Sequence, residues 1–275
     1  MNLKNNLIKI IVSTTVFFIL LVAIFKYNTS KIKSEQVAEV VELETAQPAL
    51  TTEEIDDLVD SYKVLDEVIE TTEGTEATEV VEIPIDFEGL HEVNADVYAW
   101  ISIPGTVIDY PILQHASDDS YYLNYNIDGS YGYPGCIYTE KVNAKDFSDP
   151  NTIIYGHNMK DDSMFGMLHS YKDSLFFGEN PLITIYTETE ILTYQIFAAY
   201  EYDAIHLMYS FNFWDESVFE TYLDDIFNIR DMSVNIDKNL EVTIEDTIIT
   251  LSTCTDDNTR RMLVQAVLIE TCKGY

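Results

Sequence analysis

The chain begins with a long apolar run. Residues 7–25 form a stretch of nineteen that a single charge, Lys9, interrupts. This length is close to the roughly 20 residues that a helix needs to cross a bilayer. A cleaved signal peptide is the weaker alternative, because lysines stand where a small-residue cleavage site would be expected. The pattern therefore predicts an uncleaved membrane anchor over residues 1–26.

The next segment, residues 27–80, is acidic and poor in aromatic side chains. Between Glu35 and Asp96 there are about twenty acidic residues, and Lys63 is the sole fixed cation. Such a segment repels itself and stays solvated, so we predict a stalk. Apolar residues recur at three- and four-residue steps over Thr52–Glu70, which indicates a helix that either packs on the domain or acts as a spacer. A calcium site in this run is a weaker alternative, since acidic runs are usually only solvated.

From residue 81 onward, short runs of alternating apolar and polar positions predominate, which is typical of strands. We interpret residues 81–275 as one domain. A short amphipathic helix is predicted over residues 85–97, and a longer helix over Asp215–Asn228. The remaining predicted elements are paired strands at Trp100–Ile103 and Val107–Gln114, a loop or short helix at Asp118–Tyr125, strands at Gly135–Thr139 and Thr152–Tyr155, a helical segment at Ser163–Tyr171, and paired strands at Leu182–Tyr186 and Ile191–Tyr200.

The last two predicted strands, Thr247–Cys254 and Arg261–Leu268, are joined by a short polar loop. Side chains alternate between the two faces of a strand. Cys254 therefore shares a face with Ser252, while Arg261 lies opposite the apolar face of its own strand. A thiol at a strand end thus has a guanidinium close by on the neighbouring strand.

Composition narrows the class of protein. The chain has 275 residues and a formal net charge of -33, with 19 tyrosines and 13 phenylalanines. The aromatic content suits a β-rich domain. The negative charge argues against nucleic acid as a partner, because phosphates would be repelled. It equally disfavours docking on an anionic membrane surface.

The cysteine count also limits the chemistry. Three cysteines are present and no zinc-binding spacing occurs, so neither a disulfide framework nor a metal site is indicated. We expect no cofactor. Cys136 and Cys272 are most simply buried or incidental thiols, and a bridge between them is the minor alternative.

The thiol and guanidinium at the strand ends suggest covalent catalysis. An arginine can favour the thiolate and stabilise an oxyanion. On spacing alone, a core cysteine beside a surface arginine is an equal alternative. Among five histidines, His157 stands out because it follows a β-branched strand and a glycine that lets the backbone turn.

Three segments resemble blocks of the sortases, which are cysteine transpeptidases of the Gram-positive cell surface. The segments are Ala99–Gln114, Asn151–Met159, and Thr250–Cys254 followed by Arg261–Val264, in the order of that family. The resemblance extends over Ile83–Leu268 and is to class B. It implies a mainly β fold, a closed β-barrel of about eight strands with N-terminal helices and an extra helix before the cysteine strand.

The resemblance also implies a set of site residues. Cys254 would be the nucleophile, His157 the general acid and base, and Arg261 the donor to the oxyanion. Three further positions match residues of the family's peptide groove: Ser252, Tyr155 and Leu123. Asp119 stands where the family often has asparagine, which leaves the contact at that position open.

The function implied is cleavage of a C-terminal sorting motif in surface proteins, with transfer of the acyl group to an amine of the peptidoglycan cross-bridge. The enzyme would be a single-pass membrane protein anchored through residues 7–25, with its catalytic domain outside the cell. A pilin lysine is the alternative acceptor and would make the enzyme a polymerase. A thiol protease and a non-catalytic surface binding module are the alternatives from other classes.

Overall fold

The computed structural model describes residues 81–231, 233–255 and 259–274. The predicted anchor over residues 1–26, the stalk over residues 27–80 and its helix at Thr52–Glu70 lie outside the described residues. Within the described ranges, no helix is both long and apolar enough to cross a membrane.

The strands are β1 (Val97–Ser102), β2 (Asp109–Leu113), β3 (Ile137–Thr139), β4 (Asn151–Tyr155), β5 (Leu182–Tyr186), β6 (Glu190–Asp203), β7 (Asn235–Ile236), β8 (Ile248–Cys254) and β9 (Arg260–Lys273).

Eight of these strands close into a barrel, as predicted. Their order is β5-β1-β2-β3-β4-β8-β9-β6, and β6 pairs back onto β5. The short β7 pairs with the part of the β6 edge that β5 leaves open. Two neighbouring pairs are parallel, β2 with β3 and β4 with β8, and the others are antiparallel.

Short helices decorate the barrel. In the described ranges they are α1 (Phe87–Val93), α2 (Tyr121–Asn124), a 3-10 helix (Gly166–Lys172), α3 (Ser174–Glu179), α4 (Leu207–Ser210) and α5 (Glu216–Phe227). The helix predicted over residues 85–97 is shorter than expected. Asn94 has extended backbone and its side chain accepts the Asp96 N–H at 2.9 Å, so the chain leaves the helix there and Val97 starts β1.

The helix α5 matches the predicted extra helix before the cysteine strand. Asp215 caps it by accepting the backbone N–H groups of Ser217 and Val218. The buried face consists of Phe219, Tyr222, Leu223 and Ile226. These side chains pack on the outside of the barrel, in one cluster with Ile248, Leu263 and Val267 of β8 and β9.

Side chains alternate along β8 and β9, so each strand contributes residues to two buried layers. The barrel interior takes Ile249, Leu251, Met262, Val264 and Ala266. The opposite face is also buried, and Thr250 and Gln265 have no solvent exposure there. The Gln265 Nε2 group donates to the Thr250 Oγ1 atom at 2.9 Å and to the Tyr222 hydroxyl at 2.8 Å. The polar face that ends in Cys254 is therefore covered by α5 along most of its length and opens only near its end.

Candidate active site

The parallel pair β4 and β8 brings His157 and Cys254 to the same edge of the barrel. Tyr155 and Ser252 are direct partners in this pair, and each lies two residues before one of the two site residues. The Gly156 N–H continues the ladder by donating to the Ser252 carbonyl at 3.2 Å. Gly156 is needed here, since a Cβ atom would lie 2.5 Å from the Ile137 side chain and 2.8 Å from the Phe165 ring.

The antiparallel pair β8 and β9 places Arg261 directly opposite Cys254. The guanidinium of Arg261 donates from Nη1 to the Arg260 carbonyl at 3.1 Å. Arg260 itself turns to Glu201, donating from Nη2 to its backbone carbonyl at 2.8 Å. The two adjacent arginines thus have different surroundings, as the strand alternation predicts.

His157 is held by the loop that carries α2. Its Nε2 atom donates to the Leu123 carbonyl at 2.7 Å. The ring of Tyr133 lies 4.8 Å from the imidazole, between centroids, at an angle of 50°. The Tyr133 side chain is otherwise exposed, so it forms an aromatic wall at the outer side of His157.

All six predicted site residues line one cleft of about 250 Å³. The cleft contains Leu123, Tyr155, His157, Ser252, Cys254 and Arg261. Its remaining walls come from β3, from the end of β6 and from the segment that follows β6, including Tyr138, Glu140, Tyr202 and His206.

The three predicted groove residues differ in exposure. Ser252 is buried, whereas 39% of Leu123 is exposed. The Tyr155 ring stacks on Tyr138 with centroids 5.4 Å apart. Burial raises the pKa of Tyr155, and the nearby Glu140 carboxylate raises it further, so its hydroxyl stays protonated.

A partly buried acid–imidazole pair in the wall of the cleft is absent from the sequence predictions. The His206 Nε2 atom lies 2.7 Å from the Glu140 Oε1 atom. Burial raises the pKa of Glu140, while the contact with His206 opposes that rise. Among the described residues, the Glu140 Oε2 atom, the His206 Nδ1 atom and the Tyr155 hydroxyl have no hydrogen-bond partner although all three are buried.

Three further residues from the sequence analysis, Asp119, Cys136 and Cys272, are not among those that line the cleft. Asp119 accepts the Lys141 backbone N–H at 2.9 Å and pairs with the Lys141 ammonium at 3.4 Å. Cys136 is buried, and burial raises the pKa of its thiol to about 12. Cys136 and Cys272, both among the described residues, are not joined by a disulfide.

Known proteins share this sequence and this barrel. The sortase domain model matches residues 101–269. Sortase B of Listeria monocytogenes is 37% identical over 191 residues, which cover 68% of this chain and 76% of that protein. The crystal structure of Staphylococcus aureus sortase B superposes with a TM-score of 0.60 at 26% identity, covering 78% of this chain and 96% of that one. A Streptococcus pyogenes class B sortase involved in pilus biogenesis superposes with a TM-score of 0.56 at 28% identity, covering 67% and 98%.

A closed eight-stranded barrel with these relatives defines a cysteine transpeptidase. The chain belongs to the sortase family, and its relatives are of class B.

Proposed function

We propose that this enzyme cleaves a C-terminal sorting motif in surface proteins through a thioacyl-enzyme formed on Cys254. The observation that carries the proposal is the meeting of three groups at one barrel edge. Arg261 on β9 lies opposite Cys254 on β8, and His157 follows the end of the neighbouring parallel strand β4 by two residues, as Cys254 follows Ser252. A thiol, an imidazole and a guanidinium can together serve as nucleophile, acid–base group and oxyanion donor in acyl transfer.

In the first half-reaction, the Cys254 thiolate attacks the carbonyl carbon of a threonine in the motif. A carbon–sulfur bond forms, and the carbonyl oxygen becomes an oxyanion that the Arg261 guanidinium stabilises. The carbon–nitrogen bond then breaks, and His157, as an imidazolium, protonates the departing amine. The product of this step is a thioester between Cys254 and the threonine.

In the second half-reaction, an acceptor amine attacks the thioester. His157, now neutral, takes a proton from that amine as the new amide forms and the thiolate leaves. Because the Nε2–H of His157 is already donated to the Leu123 carbonyl, the proton is exchanged at Nδ1. The groove lined by Leu123, Tyr155 and Ser252 would hold the motif.

The acceptor in this proposal is an amine of the peptidoglycan cross-bridge, and residues 7–25 anchor the enzyme in the membrane with its domain outside the cell. The wall-anchoring reading is supported by the overall likeness to sortase B proteins. A pilin lysine is a second candidate acceptor, since one structural relative is described as taking part in pilus biogenesis.

A library of threonine-containing peptides, incubated with the enzyme with and without added amines, tests this function. We expect a thioacyl adduct on Cys254 by mass spectrometry and a product that requires the amine. Equal product with water alone would indicate a thiol protease instead. If a peptide carrying a thiol-reactive group fails to modify Cys254, the protein is a binding module and the proposal is wrong.

A further inference from the structure

The carbonyl group of Cys254 points toward a gap in the sheet. The Thr255 N–H donates to the Arg260 carbonyl at 3.1 Å, so these two residues form a hydrogen-bonded pair between β8 and β9. Bonded and non-bonded pairs alternate in an antiparallel ladder, and the next pair, Cys254 with Arg261, is therefore non-bonded. The Cys254 carbonyl consequently faces β4, as the Ser252 carbonyl does when it accepts the Gly156 N–H.

The strand β4 does not continue far enough to reach this carbonyl. If the parallel ladder went on, the next donor would be the N–H two residues after Gly156. However, β4 ends at Tyr155, and Asn158 pairs with Met164 in an isolated bridge instead. The contact at this carbonyl is partly buried, and a donor from elsewhere in the chain stabilises it because an unpaired backbone group shielded from water is costly.

His169 supplies that partner. Its Nε2 atom lies 3.0 Å from the Cys254 carbonyl oxygen, and a carbonyl only accepts, so the imidazole donates. His169 belongs to the 3-10 helix Gly166–Lys172, which follows the His157 loop in the chain. The His169 imidazole thus takes the position that a backbone N–H of β4 would occupy if this strand continued.

The same segment also holds His157. The Phe165 N–H donates to the His157 carbonyl at 3.0 Å, and the Phe165 ring is buried in the barrel core. Gly166 allows this return, since a Cβ atom there would lie 2.5 Å from the Met159 carbonyl. One short segment therefore contacts the backbone of both His157 and Cys254.

We propose that His169 is a positioning residue for the nucleophile. By binding the Cys254 carbonyl, it fixes the peptide plane after Cys254 and with it the direction of the Cα–Cβ bond that carries the sulfur. The thiolate then stays aligned with the scissile carbonyl and with His157. The inference rests on the proposed role of Cys254, and His169 contacts neither substrate nor sulfur in this role.

The test compares His169→Leu, His169→Gln and His169→Asn in the full-length enzyme by single-turnover acylation with a cleavable peptide. Misplacing a nucleophile by about 1 Å can cost on the order of 10²-fold in rate. We expect His169→Leu to lower the acylation rate at saturating peptide by roughly 10- to 100-fold, with KM changed by less than about twofold. His169→Gln should restore most of the rate, because its amide nitrogen reaches the place of Nε2. His169→Asn should not, because it is too short.

A matched control is available in His91, which donates to the Val97 carbonyl at 2.9 Å, the same kind of bond on a strand far from Cys254. His91→Leu should lower the unfolding temperature about as much as His169→Leu and leave acylation unchanged. Equal acylation by wild type and His169→Leu overturns the inference alone, as does a Gln variant no better than Asn. If His169→Leu does not fold, the Gln and Asn pair decides. A wild-type enzyme that forms no thioacyl species overturns the proposed function, and the inference falls with it.

Discussion

Cys254 and Arg261 are direct partners across the antiparallel strands β8 and β9. Arg260, one residue earlier, is paired with Glu201 through its guanidinium and lies outside the cleft. Lys172 binds the same Glu201 carboxylate. The two neighbouring arginines thus have separate surroundings: Arg261 is paired with Cys254 across the strands, and Arg260 belongs to a surface ion cluster.

Arg261→Ala should therefore lower turnover by about 10²–10³-fold, the usual effect of losing an oxyanion donor. Arg261→Lys should recover little, because an ammonium lacks the planar fork of a guanidinium. Arg260→Ala should stay within a few-fold of wild type. Steady-state cleavage of a sorting peptide by the three variants is the measurement, and the reverse ranking of the two alanine variants would contradict the assignment.

Cys254→Ala should abolish both peptide cleavage and the thioacyl adduct. Cys136→Ala and Cys272→Ala should leave the chemistry largely intact. Alkylation near neutral pH should spare Cys136, because burial raises its pKa to about 12 and keeps it a thiol. Peptide mapping after alkylation, together with cleavage assays, checks this. Loss of activity in Cys136→Ala without unfolding would show that the wrong thiol has been chosen.

His157→Ala should lower the cleavage rate on the order of 10²–10⁴-fold, the usual weight of general acid–base catalysis. The thermal unfolding temperature should change little, since the imidazole is only partly buried and its contact with the Leu123 carbonyl is a single hydrogen bond. His91→Ala serves as the control for a histidine outside the cleft. A His157→Ala enzyme with wild-type turnover would remove this residue from the mechanism.

Glu140 should make stability depend on pH. Burial raises its pKa in the folded state above the ordinary 4.5, with Asp119 raising it further and His206 and Lys141 lowering it. A raised acid pKa means that the folded state holds the proton more tightly, so this contribution to stability is present below about pH 4.5 and is lost as pH rises through the folded pKa. Glu140→Gln cannot lose that proton. The unfolding temperature of Glu140→Gln minus that of wild type should therefore increase with pH across this window.

The matching variant is His206→Gln, which removes the imidazole that lowers the pKa of Glu140. Its pH-dependent loss of stability should extend to higher pH than that of wild type. A difference between Glu140→Gln and wild type that is constant from about pH 4 to about pH 8 would show that Glu140 titrates normally.

Removal of residues 1–26 should give a soluble enzyme with unchanged peptide turnover. The reason is that the apolar run suits a bilayer, whereas the barrel core is built from residues well beyond it. Gel filtration and cleavage assays, with the full-length protein in detergent as control, measure this. An aggregated or inactive truncated chain would mean that the division into anchor and domain is wrong.

Local pattern was sufficient for the strands that carry the site. Alternation placed Cys254 and Arg261 on one face, and the helix α5 followed from its apolar periodicity. Closure of the barrel could not be read from local pattern, and its prediction depended on the family resemblance. The pairs that join distant loops carried no sequence signal: Glu140 and His206 are 66 residues apart, and His169 and Cys254 are 85 apart.

The position of β9 between β8 and β6 has a consequence for how the enzyme is made. β9 joins β8 to β6 and so completes the barrel, and it also carries Arg261. When the chain emerges from its N-terminus, β6 has an open edge until residues 260–273 follow, and Cys254 emerges only shortly before them. A chain that stops before residue 254 lacks the proposed nucleophile, and one that stops before residue 261 lacks the proposed oxyanion donor. Such a chain also exposes strand edges that a chaperone or protease can recognise. Addition of β9 therefore covers these edges and completes the proposed site in the same step.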